Sequence, residues 1–570
     1  MQTIIAANIE KWLNGNIEEA LKTEIKAMTE EEKAESFYKN LEFGTGGLRG
    51  IMGAGTNRMN KYTIGMATQG FANYINTQVA GEKSVAIAYD VRNNSKFFAT
   101  TVAQVFAANG IKVYLYSDVR PTPQLSYTIR TLGCCAGVVV TASHNPKEYN
   151  GYKAYWADGA QLMAPHDKNV ITEVNKIENF DGVKFTGGEA NIFEVDAAMD
   201  EKYQNMLASL SINPDLIKAQ HNLKIVYTPI HGTGINAVPQ TLKKFGFTNV
   251  NIVAEQQTPD GNFSTVVYPN PEEAEAMSLG LKKAKELDAD ILLGTDPDAD
   301  RVGIAIKNNK GEWVLMNGNQ TGVLLFNYII EARKAKGLAT AKDYICKTIV
   351  TTYLIDEFAT QNNIPCINTL TGFKYIAQII GEREAEYNFI CGGEESFGYM
   401  VGDKVRDKDA IISVAMICEM AAVAKNEGKT LYDKLMDIHV KYGFYKEHLI
   451  SVTKKGMRGA DEIADMMQAY RSNTPTTING RDVVLLHDYK LQQTTNIKTG
   501  ETTTIAMPSS NVLQFILSDG SKISARPSGT EPKIKFYISV NQKCENLENY
   551  ELTSQQLDEK INLIIKDMNL

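Results

Sequence analysis

Short apolar runs of strand length alternate with helical stretches, and the alternation occurs three times along the 570 residues. The first unit carries buried-type runs at 85–89, 113–116 and 137–140, with a helical stretch at 96–109 that Gly110 closes as a C-cap. The second carries runs at 224–227, 250–253 and 291–293 around a helical stretch at 272–287, and the third has runs at 345–350 and 389–390. Such repetition predicts an α/β fold built from successive similar units, because parallel strands need crossover helices. After about Tyr442 the pattern changes to strands near 483–486 and 512–517, the mark of a smaller α+β part. Four domains are expected, at 1–200, 201–318, 319–441 and 442–570, with no low-complexity linker at the joints. The polar stretch 456–481 reads as partly an excursion or lid.

Charge and cysteine usage exclude some classes of function. A net charge of −8 and a pI near 5.6 argue against nonspecific nucleic-acid binding, which needs a basic face. Anionic ligands must then be attracted locally. Seven cysteines without metal-ligand spacing read as reduced thiols, and disulfides are not expected. The first twelve residues, ending in Trp12, have the pattern of an amphipathic helix too short in its apolar run for a signal peptide. The longest apolar-rich stretch, 410–424, contains Glu419 and falls short of the roughly 20 residues that span a bilayer. A soluble, cytoplasmic protein is expected.

Four stretches carry chemistry. In Thr141-Ala-Ser-His-Asn-Pro146 a serine follows a strand-like run, which makes Ser143 a candidate phosphoryl carrier. An acyl-transfer serine would sit in Gly-x-Ser-x-Gly, and here the flanking positions are Thr141 and Asn145. In Thr295-Asp-Pro-Asp-Ala-Asp-Arg301 an apolar run leads into Asp296, Asp298 and Asp300 at alternate positions. Oxygen-only ligands suit Mg2+ or Ca2+ rather than zinc. A calcium EF-hand loop needs glycine where this chain has Arg301. Arg301 adds a fork that fits phosphate oxygens, so cation and phosphate belong together. Gly393-Glu394-Glu395-Ser396 offers carboxylate and hydroxyl groups suited to sugar hydroxyls, although ordinary turns use the same residues. Arg526-Pro-Ser528-Gly529-Thr530 can form an anion nest, although a polar hairpin loop would read the same way.

Taken in order, these stretches resemble the four signature loops of the α-D-phosphohexomutases, and most closely those of the phosphoglucomutase branch. Gly44-Thr-Gly-Gly-Leu-Arg49-Gly near the start extends the likeness over most of the chain. The resemblance implies three related α/β domains with mixed sheets and a smaller α+β fourth around a central cleft. It implies an isomerase that moves a phosphoryl group from phosphorylated Ser143 to a hexose monophosphate. The bound intermediate would be glucose 1,6-bisphosphate, and the net result interconversion of α-D-glucose 1-phosphate and glucose 6-phosphate. One Mg2+ would sit on Ser143, Asp296, Asp298 and Asp300. Arg49, His144 and Lys153 would position the phosphate and move the hydroxyl proton, with the base left open among them. Glu394 and Ser396 would contact the sugar, with Arg301, Thr371, Gly372, Lys374 and Arg406 as further substrate contacts. Arg526, Ser528, Gly529 and Thr530 would hold the distal phosphate.

Glu395, following the first glutamate of the third loop, resembles the glucose-specific members. Tyr399-Met400 and the GTGGLRG start also resemble a branch that includes phosphopentomutases, so pentose or mannose phosphates stay open as substrates. A phosphatase or a phosphosugar-binding protein with the same residues forms the other class of reading. Partners would be small sugar phosphates, with no nucleic acid or membrane, and the chain would be a monomer or homodimer. His231, in Pro229-Ile-His-Gly, is read as structural.

Overall fold

The computed structural model describes residues 2–44, 46–454, 458–528 and 533–570. Three sheets repeat one plan. In the first, strand Ser84–Tyr89 lies parallel to both Lys112–Tyr116 and Ala136–Val140, and the latter pairs antiparallel with Tyr149–Trp156. In the second, Ile225–Thr228 is parallel to Val250–Ile252 and Ile291–Thr295, and the latter pairs antiparallel with Val302–Lys307. In the third, Asp343–Thr348 is parallel to Cys366–Thr369 and Asn388–Glu394, and the latter pairs antiparallel with Gly398–Val401. The serine stretch, the aspartate stretch and the Gly-Glu-Glu-Ser stretch therefore occupy one topological position. Each leaves the end of the last parallel strand and turns into its antiparallel neighbour. Loops at the carboxyl ends of parallel strands are where open α/β sheets bind ligands.

The strand sequences explain this placement. Strands Ser84–Tyr89, Ala136–Val140 and Ile291–Thr295 are buried at every position, as parallel strands covered on both faces must be. Helix Ala410–Asn426 is apolar all round and buried along nearly its whole length. It packs between the second and third units, whose buried side chains form one continuous core. Its single buried acid, Glu419, accepts hydrogen bonds from Ser211 Oγ, Tyr328 Oη and the backbone N–H groups of Ile212 and Asn213. At the amino end, helix Gln2–Asn14 places Trp12 edge-on to Phe37, Tyr62 and Phe180.

The C-terminal part is a largely antiparallel sheet in which Phe444–Thr453, Lys533–Gln542 and Lys522–Pro527 are neighbours. Helix Tyr550–Asp567, which the sequence reading did not single out, packs on it. Residues 458–481 are not the excursion expected from their polarity. They form helix Gly459–Ser472 and strand Thr477–Ile478, and bury Ile463, Met467 and Ile478 in the C-terminal core. Ile463 and Met467 are four apart, which puts both on one helix face under a polar exterior. All seven cysteines are free thiols. Among the described residues no helix is long and apolar enough to cross a membrane.

Candidate active site

The first three loops converge. Ser143 is 3% exposed and adopts a left-handed backbone with φ of 53°. Its Oγ donates to Asp296 Oδ2 at 2.9 Å and lies 3.2 Å from His144 Nδ1. Residues 153 positions apart in the chain are thus joined by one hydrogen bond. Desolvation, reinforced by Arg301 and Arg49, pushes the His144 imidazole well below its ordinary value. A neutral imidazole beside a hydroxyl can accept a proton.

The aspartates are buried almost completely, and one carboxylate oxygen from each lies within 4.8 Å of the others. Asp298 Oδ2 accepts from Thr122 Oγ1 and Lys153 Nζ, both at 2.7 Å. Asp300 Oδ2 faces Lys153 Nζ at 3.1 Å and Lys408 Nζ at 3.2 Å. Against the effect of burial, these two ammonium groups hold Asp300 well below the usual carboxylate range. Asp296 moves the other way, raised by burial and then by Asp298 and Asp300. Asp298 Oδ1 and Asp300 Oδ1 are buried without a hydrogen-bond partner. Two orphaned acceptor oxygens beside a carboxylate that resists ionisation fit a hard divalent cation, which supplies the missing positive charge.

A cleft of about 920 Å3 opens beside this cluster. His144, Asn145 and Arg49 line it from the first unit, and Arg301 and Glu272 from the second, paired at 2.9 Å. Thr371, Gly372, Glu394 and Ser396 line it from the third. Glu394 is buried, and its Oε1 accepts from the Gly372 N–H at 2.8 Å, which ties these two loops together. Burial raises the Glu394 carboxyl above its ordinary value. Glu395 instead accepts from Thr348 Oγ1 and Thr351 Oγ1 at 2.9 and 3.1 Å. A Cβ on Gly318 would lie 1.8 Å from the Glu395 carbonyl oxygen, so only glycine lets helix Gly318–Ala335 start so close to the loop. The C-terminal sheet supplies a basic wall of Arg526, Lys533 and Lys535, with Ser528 beside them and Lys522 buried behind, donating to the Ile349 and Thr351 carbonyls.

Sequence comparison agrees with this geometry. Models of the phosphoglucomutase/phosphomannomutase alpha/beta/alpha domains I, II and III match residues 40–181, 201–311 and 317–442. The chain belongs to the phosphoglucomutase/phosphomannomutase family. A curated phosphoglucomutase of Staphylococcus epidermidis is 38% identical over 555 residues, covering 96% of this chain and 99% of the relative. One from Staphylococcus aureus is 36% identical over 546 residues, covering 95% and 96%. The Paramecium exocytosis-sensitive phosphoprotein pp63/parafusin, a phosphoglucomutase, shares the fold with a TM-score of 0.70 at 18% identity, over 93% of this chain and 95% of that one. A putative phosphomannomutase from Thermus thermophilus superposes with a TM-score of 0.65 at 20% identity, over 91% and 99%.

Within this family member, most of the expected site residues come together. Ser143, Lys153, Asp296, Asp298 and Asp300 form the buried cluster, and His144, Arg49, Arg301, Thr371, Gly372, Glu394, Ser396, Arg526 and Ser528 line the cleft beside it. Gly529 and Thr530 lie outside the described residues. Arg406, expected at the sugar, does not line the cleft. Its side chain is buried, donates to the Asp403 carbonyl and pairs with Glu384, while its backbone N–H donates to Ser126 Oγ. A guanidinium so engaged is bound in a structural ion pair. Lys374 is also not among the lining residues and sits 5.4 Å from the Tyr375 ring. His231 is held by the Thr258 carbonyl and Thr265 Oγ1, away from the cluster.

Sequence reasoning missed Lys408, Thr122 and the lysines of the basic wall. Lys408 stands two positions beyond Arg406 and bridges Asp300 and Asp407. A lysine in an Arg-Asp-Lys-Asp run has no local signature. Alternation along strand Lys533–Gln542 marks Lys533 and Lys535 as sharing the face opposite Ile534 and Phe536, and this was the one usable signal.

Proposed function

We propose that this chain is a phosphoglucomutase that interconverts α-D-glucose 1-phosphate and glucose 6-phosphate through phosphorylated Ser143 and bound glucose 1,6-bisphosphate. The observation that carries the reading is the 2.9 Å approach of Ser143 Oγ to Asp296 within the buried triad, beside a cleft whose opposite wall is basic. The phosphoglucomutase name of relatives matching nearly the whole chain supports the choice of glucose.

In the forward direction the Ser143 Oγ–phosphorus bond breaks as a sugar hydroxyl oxygen bonds to phosphorus, and the hydroxyl proton passes by way of His144 Nδ1 to the departing Ser143 Oγ, 3.2 Å away, which ends as a neutral hydroxyl. Lys153 is unsuited to that role. Its two aspartate partners, offsetting its burial, raise its value and keep it charged. Asp296, Asp298, Asp300 and Ser143 would hold Mg2+, which when bound neutralises phosphoryl charge during transfer. Arg526 and Ser528 hold the phosphate that is not reacting, and Glu394 and Ser396 orient the ring between the two ends. The bisphosphate then reverses end for end and returns its other phosphoryl group to Ser143.

The test is phosphoryl mapping. After incubation with glucose 1,6-bisphosphate and Mg2+, intact mass should rise by one phosphoryl group, located on the peptide carrying Ser143. Ser143→Ala should take up none. Label on another residue, or uptake by the alanine variant, contradicts the phosphoserine route.

A further inference from the structure

Resting on the phosphoserine reading above, we propose that Arg92 is a positioning residue that fixes the backbone of the Ser143 loop. Phe263, from the second α/β unit, completes the clamp by packing on the guanidinium. Ser143 is then correctly aimed only while the first and second units are docked.

Arg92 lies in the turn after strand Ser84–Tyr89 and is 3% exposed. Its Nη1 donates to the carbonyls of Pro146 and Tyr149 at 2.8 and 3.1 Å, and its Nη2 to those of Ser143 and Asn145. One rigid fork therefore satisfies four carbonyl groups of a single loop. Only a guanidinium has donors in that arrangement, and an ammonium is a point charge without it.

The partner of Arg92 secures the other side of Ser143. Asp90 Oδ2 is 3.2 Å from Arg92 Nε and accepts from Thr141 Oγ1 at 2.7 Å. Thr141 Oγ1 in turn accepts the Ser143 N–H at 2.8 Å. Both polar backbone groups of Ser143 are thus tied to one buried Asp90–Arg92 pair. The left-handed conformation of Ser143 is uncommon for a residue with a side chain and persists where its surroundings over-determine it.

The outer face of the guanidinium is covered from the second unit. Arg92 lies 5.0 Å from the centroid of the Phe263 ring, itself 1% exposed. In the same loop a Cβ on Gly261 would fall 2.5 Å from the Asn93 backbone nitrogen, and Asn93 Nδ2 donates to Asn262 Oδ1 at 3.0 Å. The loop from the second unit is therefore pressed onto the turn that carries Arg92. Neither Arg92 nor Phe263 is among the residues lining the cleft, so their effect on transfer separates from any on sugar binding.

Arg92→Lys and Phe263→Leu are to be compared with the unaltered chain for thermal midpoint, KM, kcat and the phosphorus NMR resonance of phosphoserine after charging with glucose 1,6-bisphosphate. Phe263→Leu should melt within a few degrees of the parent, keep KM within about twofold and lose about tenfold in kcat. Arg92→Lys keeps the charge but not the fork and should lose about a hundredfold in kcat. In both variants the phosphoserine resonance should broaden or shift, and loss of its phosphoryl group to water should gain on transfer to sugar. Where Arg92→Lys does not fold, Phe263→Leu carries the test. An unchanged kcat and resonance in folded Phe263→Leu overturns the proposal, as does a fall in kcat that merely tracks the folded fraction. If the unaltered chain turns over and only the variants fail to differ, positioning alone is wrong. If the unaltered chain takes no phosphoryl group, the phosphoserine reading falls and the proposal with it.

Discussion

Thr122 shows how single side chains set the chemistry of the buried cluster. Its hydroxyl donates to Asp298 Oδ2 at 2.7 Å, and its backbone N–H reaches the Asp298 carbonyl at 2.9 Å. It therefore orients a proposed cation ligand without touching substrate. Partners of this kind typically cost 10–100-fold in metal affinity when removed. Thr122→Val should raise the Mg2+ concentration for half-maximal activity by about tenfold and leave kcat at saturating Mg2+ within about threefold, as read by a Mg2+ titration. An unchanged titration would remove Thr122 from this role. The three aspartates and Ser143 were legible in the sequence because each set lies within one short segment, where spacing alone carries the chemistry. Thr122, Arg92 and Lys408 were not, because each acts through a contact between segments far apart in the chain. Arg406 was misplaced for the same reason, since its pairing with Glu384 is invisible in the local run.

At the level of elements, the parallel strands were legible because burial on both faces leaves uninterrupted apolar runs. Helix Gly459–Ser472 was passed over because its run is polar overall, although Ile463, Met466, Met467 and Tyr470 recur at helical spacing along its inner face. Helix Leu431–Tyr442 gives a pH prediction. His439 on it stacks on Phe444 with ring centroids 4.1 Å apart, and its Nδ1 lies 2.9 Å from Tyr550 Oη, joining the helix to the C-terminal part. Burial, with a smaller effect of Lys446, pushes His439 down to about 3. The folded state therefore needs the neutral ring, whereas the unfolded chain takes up a proton near pH 6.5. Stability from this residue is present above pH 6.5 and drains as pH falls toward about 3. By pH 5 the loss amounts to about 2 kcal/mol. Urea unfolding of the parent and His439→Gln at pH 7 and pH 5 checks this. The parent should lose more stability than the variant across that interval, and equal losses would show that His439 does not titrate on unfolding.

For the whole molecule, the repeated sheet plan places three loops at equivalent strand ends, and the C-terminal sheet closes the ring with its basic wall. The chain carries a net charge of −8, so attraction of the proposed bisphosphate would depend on that wall and on Arg49 and Arg301. Arg526→Ala should raise KM by about tenfold or more while Ser143 still accepts a phosphoryl group, because in the proposed mode the two ends of the substrate would be held by different parts of the fold. Steady-state kinetics together with phosphoryl mapping separate the two effects. Loss of Ser143 labelling in that variant would mean that the ends are not independent. The central claim is most directly tested by following glucose 1-phosphate to glucose 6-phosphate with Mg2+ and a trace of glucose 1,6-bisphosphate, with mannose and ribose 1-phosphates in parallel. Fast turnover of the glucose ester is expected, dependent on both additions and absent in Ser143→Ala. Turnover retained without Ser143, or a faster rate with mannose or ribose than with glucose, would contradict it.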